Sequence, residues 1–300
     1  MKPLLATLIL FLASLGAHAL ACGAPDETAP LVDPVLAQAV QEALELPRAA
    51  TCGELATLRR LDVAAEEGRQ VTSLAGLEHA ERLERLTLNG HAVQDLSPLA
   101  GLTRLTQLRV DGNGLSDLSP LAGLTRLSRL DARDNAIGDL SPLSGLRNLS
   151  FLHLANNRIG DLSPLRGLKT LERLEVQGNE IRDLSPLAEL TRLQRLFAQN
   201  NEIESLAPLY LLTDLRELRL DNNAVGNLLV LSAMTSLQDL QLRNNRVFDL
   251  SPIRELRQLE RLRVDGNCLD LSEGSMAAAL LAEFEARGVE VRAGGQKSCF

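Results

Sequence analysis

Leucine returns every 22 residues, at positions 83, 105, 127, 149, 171, 193, 215 and 237, and a truncated ninth unit opens at Leu259. Each leucine heads the same pattern. The third unit shows it cleanly: Leu127, Leu130, Ala132, Asn135, Ile137, Asp139, Leu140, Ser141, Pro142, Leu143, Leu146. An irregular earlier unit (Leu58, Leu61, Val63, Val71, Leu74, Leu77) carries roughly three extra residues between Glu66 and Gln70. A segment this short cannot bury its own apolar face, so the units must stack and share one continuous core.

Each position in the unit has a physical task. The L-x-L stretch, such as Leu152-His153-Leu154, alternates apolar and polar and predicts a half-buried strand, one per turn, paired in parallel. An asparagine follows in eight units: Asn113, Asn135, Asn157, Asn179, Asn201, Asn223, Asn245 and Asn267, with His91 in its place in the first. A buried turn strands backbone donors and acceptors, and an amide supplies both, so these residues read as an internal ladder. Next, Asp-Leu-Ser-Pro-Leu turns the chain back. Proline suits the first residue of a helical turn, with serine expected as its cap, at Ser97-Pro98, Ser119-Pro120, Ser141-Pro142, Ser163-Pro164, Ser185-Pro186 and Ser251-Pro252. The period leaves room only for 3₁₀ or one-turn helices.

The unit L-x-x-L-x-L-x-x-N-x-I/V-x-D-L-S-P-L-x-x-L-x-x resembles the short leucine-rich repeat of bacterial internalins and related surface proteins. The resemblance is strong over residues 83–267 and weak over 58–82. It implies an α/β leucine-rich-repeat solenoid with a curved parallel sheet on its concave side. It also implies a binding scaffold rather than an enzyme, without saying what is bound.

The ends depart from the repeat. Asp33-Pro34 opens a helix with Val35, Leu36, Val40, Ala43 and Leu44 at helical spacing, closed by Leu46-Pro47. Thr51 and Glu54 fit a capping box. At the other end Ser275 to Arg287 reads as a helix with Met276, Leu280, Leu281 and Phe284 on one stripe, Gly288 as its stop, and Val289 and Val291 in a last strand. Lys2, the apolar run Leu4 to Leu15 and the A-x-A pairs Ala17/Ala19 and Ala19/Ala21 read as an export signal. The expected organisation is therefore signal 1–21, N-terminal cap 22–57, repeat array 58–269 and C-terminal cap 270–300. No transmembrane span is expected.

Four cysteines, Cys22, Cys52, Cys268 and Cys299, flank a cysteine-free array. In an oxidising compartment, Cys22–Cys52 and Cys268–Cys299 are the economical pairs, although the two other connectivities stay open. Ala19-Leu20-Ala21-Cys22 also resembles a lipobox, so a lipid anchor at Cys22 is the rival reading. Export to the periplasm, cell surface or medium is expected either way.

Outward side chains on the sheet are the third, fifth and seventh of each unit. They include ten arginines and seven carboxylates, an excess of +3 on a chain of net charge −8. That favours a protein partner with an acidic surface, and it equally describes a ladder of cross-strand ion pairs. The overall acidity argues against nucleic acid. Aromatics make up 2% of the chain, which makes Phe151 and Phe197 on this face stand out as exposed anchors. With His153, Arg173, Glu175, Arg195 and Arg219 they outline the expected partner-binding patch. Four scattered histidines, the lack of C-x-x-C pairs and the lack of a phosphate loop predict no metal, no cofactor and no catalysis. An envelope spacer and a glycan-binding adhesin are the alternatives. Without Trp or Tyr on the concave face, a sugar-stacking adhesin ranks lower.

Overall fold

The computed structural model describes residues 22–299. In it eleven three-residue strands form a single parallel sheet in strict chain order. They are β1 (Arg60–Asp62), β2 (Arg85–Thr87), β3 (Gln107–Arg109), β4 (Arg129–Asp131), β5 (Phe151–His153), β6 (Arg173–Glu175), β7 (Arg195–Phe197), β8 (Glu217–Arg219), β9 (Asp239–Gln241), β10 (Arg261–Arg263) and β11 (Glu290–Arg292). The 22-residue period sets the register. Leu152 pairs with Leu130 on one side and Leu174 on the other, and the central residues of neighbouring strands do the same along the sheet. Those leucines point into a core that is aliphatic through the array.

The return path is made of 3₁₀ turns such as Ser97–Leu99 and Ser119–Leu121. Serine does not cap them, contrary to the sequence expectation. The cap position is the preceding leucine, which has no side chain able to accept. The acceptor is the aspartate two residues before the serine. Asp95 Oδ1 takes the Ser97 N–H at 2.8 Å and Oδ2 takes its hydroxyl at 2.9 Å, and Asp117, Asp139, Asp183 and Asp249 repeat the arrangement. A carboxylate reaches its own backbone two residues on in this way, which accounts for the recurring aspartate.

Three residues after each of the strands β2 to β10 the chain takes one left-handed residue: Gly90, Gly112, Asp134, Asn156, Gly178, Asn200, Asn222, Asn244 and Gly266, with φ between 54° and 74°. Only glycine, asparagine and aspartate enter that region cheaply, which is why this position drifts among those three. The next residue is the ladder asparagine. Asn201 Oδ1 accepts the Ile181 N–H at 3.0 Å, while its Nδ2 donates to the carbonyls of Val176, Ala198 and Gln199 at 3.0, 3.1 and 3.2 Å. The acceptor bond reaches back 20 residues and the longest donor bond 25, and the same offsets recur for Asn157, Asn179, Asn223, Asn245 and Asn267.

His91 fills the first rung. Its Nδ1 accepts the Val71 N–H 20 residues back, and its Nε2 reaches the Val63 carbonyl 28 residues back. The second offset exceeds the usual 25 by three, the size of the insertion in the irregular unit. Gln296 adds an unforeseen last rung, accepting from Asn267 and Leu269 and donating to Val264 and Ala293. Its longer side chain reaches the same groups from outside the repeat spacing.

Two helical caps close the core. Helix α1 (Pro34–Ala43) buries Leu36 and Val40, and its N-cap Asp33 also accepts the backbone and hydroxyl of Thr72, tying the helix to the irregular unit. Short helix α2 (Cys52–Leu55) has both halves of the Thr51–Glu54 capping box. Helix α3 (Met276–Ala286), capped by Ser275, buries Leu280, Leu281 and Phe284. Met276, expected on that stripe, is 82% exposed, at the rim of an open cleft that it lines with Phe248, Leu250 and Arg254. Disulfides join Cys22 to Cys52 and Cys268 to Cys299, one in each cap. The expected signal, 1–21, lies outside the described residues.

Candidate functional site on the concave sheet

The outward side chains of β4 to β9 build one connected surface. Strand alternation turns residues one and three of each strand away from the core, and parallel pairing puts equivalents side by side. Phe151 therefore lies between Arg129 and Arg173, and Phe197 next to Glu175 and Arg219. The Arg129 guanidinium sits 3.7 Å from the centroid of Phe151. Arg173 sits 5.2 Å from Phe151 and 5.1 Å from Phe197, and Arg219 is 4.4 Å from Phe197. The rings and guanidiniums thus alternate across five strands, each cation over a ring face that attracts it.

The same arginines, with Arg195, hold the carboxylates. Arg129 meets Asp131 at 2.6 Å, Arg195 meets Glu217 at 2.8 Å, and Arg219 bridges Glu217 and Asp239 at 3.1 Å each. Arg173 pairs with Glu175. His153 lies between two carboxylates, 3.7 Å from Asp131 and 3.4 Å from Glu175. It also meets Phe151 edge-on. Burial pushes the Asp131 carboxyl up, but hydrogen bonds from His153 and Arg129 outweigh it and leave the group below its usual range. In Asp111, which follows the adjacent strand β3, burial prevails over the Arg133 backbone bond and the carboxyl is raised.

These contacts correct the sequence reading of Phe197, which is only 7% exposed. Alternation does aim it outward, but Arg173 and Arg219 fold over it, so it acts as a floor for the guanidiniums. Phe151 is half-buried and remains accessible. Asp131, Glu175, Asp239 and Gln241 are also buried, which makes the surface a layer of arginines resting on rings and carboxylates. Arg129 belongs to this cluster, and the sequence reading left it out of the patch. The signal was available: it stands one 22-residue step before Phe151, in the same column.

Among the described residues no group of three or more His, Cys, Asp or Glu is placed to hold a metal, and no helix is long and apolar enough to cross a membrane.

A coil with one strand per turn, a parallel sheet and an asparagine ladder defines a leucine-rich-repeat solenoid. The family model of leucine-rich repeats in two copies matches residues 125–167 and 147–189. Among solved structures, internalin C2 of Listeria monocytogenes is 34% identical with a TM-score of 0.68, and the match covers 71% of this chain and 96% of that one. Internalin F of the same organism is 27% identical at TM-score 0.63, covering 90% and 93%. A leucine-rich-repeat protein of Leptospira interrogans is 26% identical at TM-score 0.73, covering 80% and 62%. No curated protein matches significantly by sequence. The chain belongs to the internalin-like family of bacterial leucine-rich-repeat proteins, a family of interaction scaffolds.

Proposed function

We propose that this protein is an exported, non-catalytic scaffold that captures a protein partner on its concave sheet. The proposed contact patch is Phe151, His153, Arg173, Glu175, Arg195, Phe197 and Arg219, with Arg129 added. The observation that carries the reading is Phe151, an accessible ring held between two guanidiniums at the centre of a rigid sheet. Aromatic and arginine anchors that are already ordered lose little entropy on binding, which is what an interface centre requires. Phe197 supports the arginines from below. The partner face meets arginine tips first, which favours an acidic surface. Two disulfides support export into an oxidising compartment. The Cys22 sulfur bonded to Cys52 is unavailable for a lipid thioether, which supports an unanchored mature chain beginning near Cys22.

A photo-crosslinking residue at position 195, compared with one at Gly145 on the convex side, tests the site. The expected result is a protein adduct from position 195 only, lost on Phe151→Ala. Equal labelling from both positions, or labelling indifferent to Phe151→Ala, refutes the concave patch. Mass spectrometry of the mature N-terminus tests export and anchoring, since a diacylglyceryl group on Cys22 contradicts the disulfide reading.

A further inference from the structure

The turns that enter the strands carry a second charged surface. Each is a β-turn closed between two buried residues. Leu83 donates to the Ala80 carbonyl, Leu105 to Leu102, Leu127 to Leu124 and Leu149 to Leu146, at 2.8–3.0 Å. With both ends buried, the two central residues must project into solvent. Four successive turns place arginine there: Arg82, Arg104, Arg126 and Arg147. All four are exposed, and among the described residues none has an ion pair or a side-chain hydrogen bond. The concave arginines differ in this respect, since Arg129, Arg173, Arg195 and Arg219 are each paired.

The loops that leave the strands carry the opposite sign. Hydrogen bonds from the serine two residues on hold the Asp117, Asp139, Asp161 and Asp183 carboxyls below their usual range. A chain of net charge −8 thus has one basic edge and one acidic edge. Such a field attracts an anion to one side and repels it from the other.

We propose that the Arg82–Arg104–Arg126–Arg147 ridge binds a linear acidic polysaccharide laid along the solenoid axis. Stacked turns repeat at about 4.8 Å, so Arg82, Arg104 and Arg126, 22 residues apart, stand in a straight row, and Arg147, one residue short of the next step, extends it onto the following turn to roughly 14 Å. A pyranose chain advances close to one rung per sugar, and a carboxylate on each sugar can meet a guanidinium fork on each turn. Other polyanions fit less well. An extended acidic peptide shows one face only every ~6.7 Å and drifts about 6 Å out of register over three steps. The ridge has no aromatic side chain on which bases could stack, as single-stranded nucleic acid requires. A flat anionic membrane would also press on Glu81 and Glu84, which flank Arg82 in the chain. This site is separate from the concave patch and does not depend on it.

The test is titration of the full mature protein with polygalacturonate oligomers of about ten sugars at 50 and 200 mM salt. Four contacts at a slope near −0.7 each predict a roughly fifty-fold loss of affinity over that range. Arg104→Ser/Arg126→Ser leaves two contacts and a loss of only about seven-fold, together with weaker binding at low salt. Arg158→Ser/Arg246→Ser removes two exposed, unpaired arginines from the opposite edge and leaves binding unchanged. Phe151→Ala also leaves it unchanged. The proposal is overturned by no binding at 50 mM salt, or by equal weakening in the two double variants. It is also overturned by tighter binding of polyglutamate, an oligonucleotide of equal charge or vesicles of anionic lipid.

Discussion

Replacing the mid-array asparagine, Asn201, tests the ladder most directly. Asn201→Ala leaves the N–H of Ile181, a fully buried residue, with no partner. The carbonyls fare better. Val176 keeps the Asn179 amide, Ala198 keeps the Asn223 amide, and Gln199 keeps the Gly178 N–H. The cost is thus one orphaned buried donor plus three weakened acceptors, about 2–3 kcal/mol. Asn201→Asp separates the two halves of the role. Its carboxylate still accepts from Ile181, but it turns negative charge on three carbonyl oxygens, which raises its folded pKa above the unfolded value near ~3.9. A group raised in the folded state contributes its stability fully below the unfolded pKa and loses it as pH rises through the folded pKa. The Asp variant should therefore be nearly as stable as the unsubstituted protein near pH 4. By pH 7 it should be at least as destabilised as the Ala variant. Urea unfolding followed by circular dichroism, with the unsubstituted protein measured at each pH, reads this out. A deficit for Asn201→Asp that does not change with pH, or a cost for Asn201→Ala below ~0.5 kcal/mol, would refute the ladder.

Three further outcomes follow from the same contacts. Phe197→Ala should cost about 2–3 kcal/mol in a thermal melt, because a buried ring under two guanidiniums is lost, whereas half-buried Phe151→Ala should cost under ~1 kcal/mol; the reverse order contradicts the assignment of floor and anchor. Reducing the two disulfides, which close spans of 30 and 31 residues, should lower stability by about 3–4 kcal/mol each and fray the caps first in hydrogen exchange. The Arg48 guanidinium, then the Thr51 N–H, hold the Glu54 carboxyl down at about 2, so its share of cap stability persists above its ordinary 4.5 and is lost as pH falls towards about 2. A carboxyl titration by NMR with a midpoint above pH 4 contradicts the capping box.

The structure also shows which positions could be read in advance. Strand residues, ladder asparagines and the capping box could, because each answers a local or strictly periodic demand. The serine cap could not. Serine and aspartate both suit turns, and only the folded turn shows that the aspartate accepts. Gln296 was hidden because it performs the asparagine's task from outside the spacing. Met276 has the right helical phase for burial and is still exposed, because phase fixes the face of a helix and not how closely a neighbour packs on it.

Phe197 marks the division most sharply. Sequence alone determined the solenoid, its register and the inner or outer side of every strand residue. Those follow from a two-residue alternation inside a 22-residue period, and every unit repeats the same bonds. Whether an outward side chain meets solvent was decided only by tertiary structure. That depends on whether arginines from the adjacent turns, 22 residues away on either side, lie down over it. They cover Phe197 and leave Phe151 accessible. Alternation sets direction, and neighbours set burial.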